Sequence, residues 1–110
     1  MIFLVLFTHF VADFICQTDN MAKNKSKSLK WLSFHIAVYT LIFCYLGIEF
    51  ALINGVCHFL IDFITSKISS YYYAKGRIHD FFVVIGFDQL LHTSILIMTL
   101  SLVFPIWKWV

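Results

Sequence analysis

The sequence predicts an all-α membrane protein built as a four-helix bundle, and three observations predict it. Of 110 residues, 61% are hydrophobic and 13% charged, with mean hydropathy +0.87, whereas soluble domains carry roughly 25% charged residues. The apolar residues fall into four runs separated by short polar breaks. The runs lack strict alternation, and a lipid-exposed sheet edge would leave backbone groups without partners. Residues 1–110 are expected to form one integral membrane domain, its core made between helices.

The first run covers residues 2–18. Met1–Phe7 has no basic residue and no small-residue cleavage site follows, so this run is expected to stay as a transmembrane helix. A polar stretch, residues 19–28, separates it from the second run, 31–47. Gly47 and Glu49 alone mark the break before the third run, 50–70, which requires a tight hairpin. The unbroken alternative is one helix far longer than a bilayer needs. The loop Tyr71–Arg77 leads to the fourth run, 81–104, and Pro105 suits its end. Each run approaches or reaches the roughly 17–25 residues that span a bilayer.

Six of the eight basic residues lie in the first and third breaks. That bias places loops 19–30 and 71–80 in the cytoplasm of a bacterial-type inner membrane, with both termini outside. Trp31, Tyr71–Tyr73, Trp107 and Trp109 fall at the predicted span ends, as an aromatic belt does. The net charge of +2 is too weak to argue for nucleic acid. The partner is the bilayer itself, and Lys23–Lys30 suit anionic lipid headgroups at about 1 kcal/mol per basic residue. Cys16, Cys44 and Cys57 show no paired spacing and read as small buried hydrophobes.

His-Phe-x-x-Asp-Phe occurs at His9–Phe14 and again at His58–Phe63, offset by 49 residues. A mirrored element, Asp88-Gln89-Leu90-Leu91-His92, lies in the fourth run. The repeat suggests a duplicated helical hairpin, against the plain alternative of chance. Spacing of i,i+4 puts each His and Asp on one helix face. Counted from the cytoplasmic ends, Asp13, Asp62 and Asp88 fall at roughly 8–12 Å depth and His9, His58 and His92 at roughly 14–18 Å. His35 is shallower, at roughly 6 Å. These six deep residues are expected to share one polar cluster. Unpaired, three mid-membrane carboxylates would cost roughly 8–10 kcal/mol, so they must be protonated, paired or bound to cations. Lys67 is positioned to reach one of them.

Three chemistries fit. Imidazole nitrogen with carboxylate oxygen suits Zn, Mn or Fe, with His9, Asp13, His58, Asp62, Asp88 and His92 as ligands. Gln17, His35, Lys67 and Gln89 would then be outer groups or substrate contacts, and the ion could activate water for hydrolysis. The second chemistry is proton or metal-ion movement. Four short helices make a poor pore alone, so that reading needs a homo-oligomer. The third is structural: each His–Asp pair glues helices together. Glu49 at a helix end costs little, Asn54 reads as interhelical glue, and His79 and Asp80 read as loop or N-cap residues.

The order of motifs resembles an uncharacterised family of small polytopic membrane proteins of bacteria and their phages. That family carries H-x-x-x-D-F-x-x-Q near its N-terminus, then H-x-x-x-D and D-Q-x-x-H. The resemblance covers most of the chain and implies an integral membrane protein without supplying a reaction. It carries over to His9, Asp13, Gln17, Asn24, Lys25, His35, His58, Asp62, Lys67, Asp88, Gln89 and His92. Asn24 and Lys25 belong there to the cytoplasmic loop.

Overall fold

The computed structural model describes residues 1–104, and all of its regular elements are helical, with no strand among the described residues. Helix α1, Ile2–Phe10, runs directly into a π-helical turn, Val11–Ile15, closed by Cys16 N–H donating to the Val11 carbonyl at 2.9 Å. The short helix α2, Asp19–Asn24, follows. Helix α3, Leu29–Phe43, ends in a 3₁₀ turn, Cys44–Leu46. Two long helices complete the bundle: α4, Ile48–Ala74, and α5, Ile78–Val103. Helix α4 is the central element, packing on both α3 and α5.

The four expected spans resolve into three helices long and apolar enough to cross a membrane, plus the shorter apolar segment Ile2–Ile15. Nine α-helical and five π-helical residues reach about 20 Å, short of a hydrocarbon core of about 30 Å. The first run stops early because Thr18 caps a new helix. Its hydroxyl accepts from the Met21 N–H at 3.3 Å, and Asp19 sits in the positive first turn. The break read as a polar loop is thus partly helical.

The α3–α4 hairpin turns at Gly47, whose φ of +110° is open to glycine and strained for any other residue. The α4–α5 connection is tighter than the expected loop. Gly76 at φ +72° lets its own N–H reach the Tyr73 carbonyl and the Arg77 N–H reach the Tyr72 carbonyl, both at 3.0 Å. That is a Schellman ending. His79 and Asp80 consequently lie in the first turn of α5 instead of a loop or cap. Asp80 accepts from Arg77 at 2.6 Å on the surface. Trp107, Trp109 and Pro105 lie outside the described residues.

The buried stripes change character along the bundle. On α5, Asp88 and His92 give way to Leu96 and Leu100; on α3, His35 gives way to Tyr39 and Phe43. Helix α4 runs the other way, from Phe50 and Ala51 through Asn54 to His58, Asp62 and Thr65. Antiparallel packing therefore stacks an apolar half, with Val5, Phe43, Phe50, Leu96 and Leu100, against a polar half. The exterior is apolar too: Phe3 is 87% exposed and Leu102 84%. Surfaces of that kind suit lipid and not water. Gly55 lets α4 approach α3 closely, because a Cβ there would collide with the Thr40 hydroxyl.

Candidate metal centre

The polar half is a single connected cluster of His and Asp from α1, its π turn, α3, α4 and α5. Asp13, His35, His58, Asp62 and His92 are each at most 4% exposed, and Asp88 is 8% exposed. Asp62 lies at the middle. Its Oδ2 is 3.2 Å from His58 Nε2 and 3.5 Å from His35 Nε2, and its Oδ1 is 3.0 Å from His92 Nε2. Asp13 Oδ1 is 3.0 Å from His35 Nε2 and 3.4 Å from His58 Nε2. The two imidazoles also face each other, Nε2 to Nε2, at 3.2 Å. Asp88 Oδ1 lies 3.2 Å from His92 Nε2 and accepts from the Thr65 hydroxyl. The His58 and His92 rings stack at 3.8 Å.

Four of these atoms, Asp13 Oδ1, His35 Nε2, His58 Nε2 and Asp62 Oδ2, form a compact group of metal-ligand type. Five of the six separations among them are the distances just given, between 3.0 and 3.5 Å. A tetrahedral ion with ligands at about 2.0–2.1 Å has ligand–ligand edges of about 3.3–3.4 Å. The donor set fits a divalent cation. Hydrogen bonding alone fits it poorly. Each Nε2 carries at most one proton, yet both imidazoles point that atom at the other and at two carboxylates. A second group, Asp13, Asp88 and His92, shares Asp13 with the first. One feature departs from ordinary metal-bound histidine: Nδ1 of His35 and of His58 has no partner among the described residues, where a second-shell acceptor is usual.

The sequence-derived candidates fall into distinct places. Asp13, His58, Asp62, Asp88 and His92 meet in the cluster. His9, expected as a ligand, has both ring nitrogens engaged elsewhere. Its Nε2 lies 2.8 Å from Gln89 Oε1, its Nδ1 lies 2.9 Å from the Tyr39 hydroxyl, and its nearest carboxylate oxygen, on Asp13, is 3.7 Å away. His35, expected as an outer group, is fully buried at the centre. Asp13 sits in the π turn, and its separation from His9 is 3.7 Å, against 3.2 Å in each of the other two i,i+4 pairs. Gln89 borders the cluster, its amide donating to Asp13 Oδ2 at 3.0 Å and to Asp88 Oδ2 at 3.1 Å. Gln17 makes no hydrogen bond to the cluster, and its Oε1 is buried without a partner among the described residues. The Asn24 side chain donates to the Asn20 carbonyl of its own helix at 2.9 Å.

The lysine was misassigned. Lys67 lies 4.1 Å above the Phe63 ring and donates to the Ser26 carbonyl at 3.4 Å, on the surface. The carboxylate partner is Lys25, whose ammonium donates to Asp62 Oδ2 at 3.1 Å. Burial works against its charge, but Asp62 and Asp13 nearby hold its pKa above the usual lysine value. The N-cap at Thr18 was the readable signal, since a helix at residues 19–24 carries Lys25 back toward the bundle. Tyr39 and Thr65, which orient His9 and Asp88, are also buried contributors that spacing did not single out.

No curated protein and no solved structure matches the chain. A family model does, and the helices, the buried cluster and its ordered motifs lie within the residues it covers. The chain belongs to the family described as "Protein of unknown function (DUF3307)", whose model matches residues 1–109.

Proposed function

We propose that this chain is an inner-membrane protein whose buried cluster binds divalent metal and uses it to activate water for hydrolysis. Helices α3, α4 and α5 are three spans, and α1 with its π turn is a short fourth. Termini face outward, and α2 and the α4–α5 turn face the cytoplasm. This orientation follows the basic residues of those connections. Lys23 and Lys27 border a cleft of about 730 Å³ with Ser70 and Tyr73, a place suited to anionic headgroups.

The observation that carries the reading is that five of the six separations among Asp13 Oδ1, His35 Nε2, His58 Nε2 and Asp62 Oδ2 fall between 3.0 and 3.5 Å, the edge lengths of a tetrahedral site. Zn, Mn and Fe all suit such nitrogen and oxygen donors. Four protein donors close that position. The second group offers three and leaves a coordination position open, as a hydrolytic ion needs. Asp13 belongs to both groups, so its carboxylate would help hold an ion in either.

Helix glue explains the cluster less well. A purely structural pairing would give each nitrogen proton its own acceptor, whereas Nε2 of His35 and Nε2 of His58, with at most one proton each, face one another and two carboxylates. Transport of protons or ions requires polar access from both sides. The apolar half, sealed by Phe43, Phe50, Leu96 and Leu100, supplies none within one chain, so that reading again requires a homo-oligomer.

Elemental analysis of protein purified in detergent and loaded with Zn, Mn or Fe tests the proposal. One to two ions per folded chain are expected, with all of them lost in Asp13→Asn. Wild-type protein that stays metal-free after loading with each ion refutes it.

A further inference from the structure

The cluster is sealed on its apolar side but approached from the other by a small crevice of about 40 Å³ between α4 and α5. Lys25, Thr65, Ser66, Ser69 and Asp88 line it, with two aliphatic side chains of α5. Its size admits one or a few waters. Asp88 is the most open of the three carboxylates, its side chain 11% exposed against 4% for Asp13 and 1% for Asp62. The hydroxyl protons are already committed: Thr65 donates to Asp88, Ser66 to the Asp62 carbonyl and Ser69 to the Ser66 carbonyl. What the crevice offers a visitor is therefore oxygen lone pairs and a carboxylate. That lining suits a partly hydrated cation.

At the inner end stands Lys25. Its ammonium rests on Asp62 Oδ2, one of the four donor atoms of the tetrahedral group. An ion taking that oxygen must displace it. Lys25 is the residue after the last of α2, outside the spanning helices, and its side chain is 18% exposed.

We propose that the crevice is the route by which a divalent cation reaches the centre, and that Lys25 holds the cation's place at Asp62 until it arrives. The inference rests on the metal reading above and adds the path and its guard. A lysine retained only for stability would leave metal affinity equal or lower when removed. A place-holder competes with the ion, so its removal raises affinity.

The test is Co²⁺ uptake by chelator-treated full-length protein in detergent micelles, followed by the visible absorbance of the bound ion. Lys25→Met is expected to bind Co²⁺ about tenfold more tightly, within the range of coupled sites. Ser69→Leu, on the rim of the crevice, is expected to load several-fold more slowly to the same final stoichiometry. Unchanged or weaker affinity in folded Lys25→Met overturns the place-holder. An unchanged loading rate in Ser69→Leu overturns the route. Should wild-type protein bind no Co²⁺ at all, the metal reading falls first and this inference with it.

Discussion

Histidine 35 and histidine 9 exchange places between sequence and structure, and that exchange is open to direct measurement. The perturbation is His35→Gln compared with His9→Gln, a substitution of similar length that keeps hydrogen-bonding capacity and removes the imidazole lone pair. His35 Nε2 lies within 3.5 Å of three other donor atoms of the proposed tetrahedron. Losing it removes one of four ligands. Outer-group changes at metal sites cost about 10–100-fold in affinity, so removal of a ligand is expected to exceed about 100-fold, or about 2.7 kcal/mol. His9 holds the Gln89 amide and the Tyr39 hydroxyl, so its loss is expected at the low end, about tenfold. The assay is competition for Zn²⁺ between purified protein and a chromophoric chelator, with circular dichroism confirming that both variants keep their helices. Equal losses in the two variants, or a larger loss in His9→Gln, would refute the assignment of His35 to the centre.

Three further outcomes follow from the same geometry. Gln89→Leu removes the amide that donates to both Asp13 and Asp88; metal affinity should fall about 10–100-fold with stoichiometry kept, read by the same competition. Gly55→Leu drives a side chain into Thr40 at the α3–α4 contact, and thermal unfolding in micelles should show a loss of about 1–3 kcal/mol. Lys67→Ala removes only a surface contact with Phe63 and Ser26. It should change stability by no more than about 1 kcal/mol and leave metal affinity unaltered, which separates it from Lys25.

The convergence of five cluster residues was legible because two independent regularities fix it. The i,i+4 spacing sets the face, and hydropathic run ends set the depth. What spacing could not set is rotation of each helix about its own axis. In a soluble helix the polar face does this. Here the outside is as apolar as half of the inside, so the rotations of His9 and His35 were free until packing against Tyr39 and Gln89 fixed them. The π turn at Val11–Ile15, which holds Asp13, was also hidden, since no sequence signal distinguishes it from an α turn. Lys25 was missed for a different reason. Thr18 and Asp19 do announce a helix start, but a polar stretch between spans reads first as loop.

The division of the bundle into an apolar and a polar half gives the centre its physical basis. Carboxylates and imidazoles brought out of water cost several kcal/mol each unless compensated, and a cluster of three Asp and three His cannot supply its own cohesion. The apolar half does so: Phe43 of α3 packs on Phe50 of α4 at 5.8 Å, and Tyr39 of α3 lies 4.1 Å from the His58 ring of α4. Those contacts fix where α3 and α4 stand, and hence where His35 and His58 must point. Lys25 is the one ammonium set against three carboxylates in the cluster. Imidazoles bind a metal in their neutral form, so once Lys25 leaves Asp62 the proposed donor set would carry three negative charges. One divalent ion would leave one of them over and two ions would leave one positive charge, so the carboxylates are matched to one or two ions and to no more.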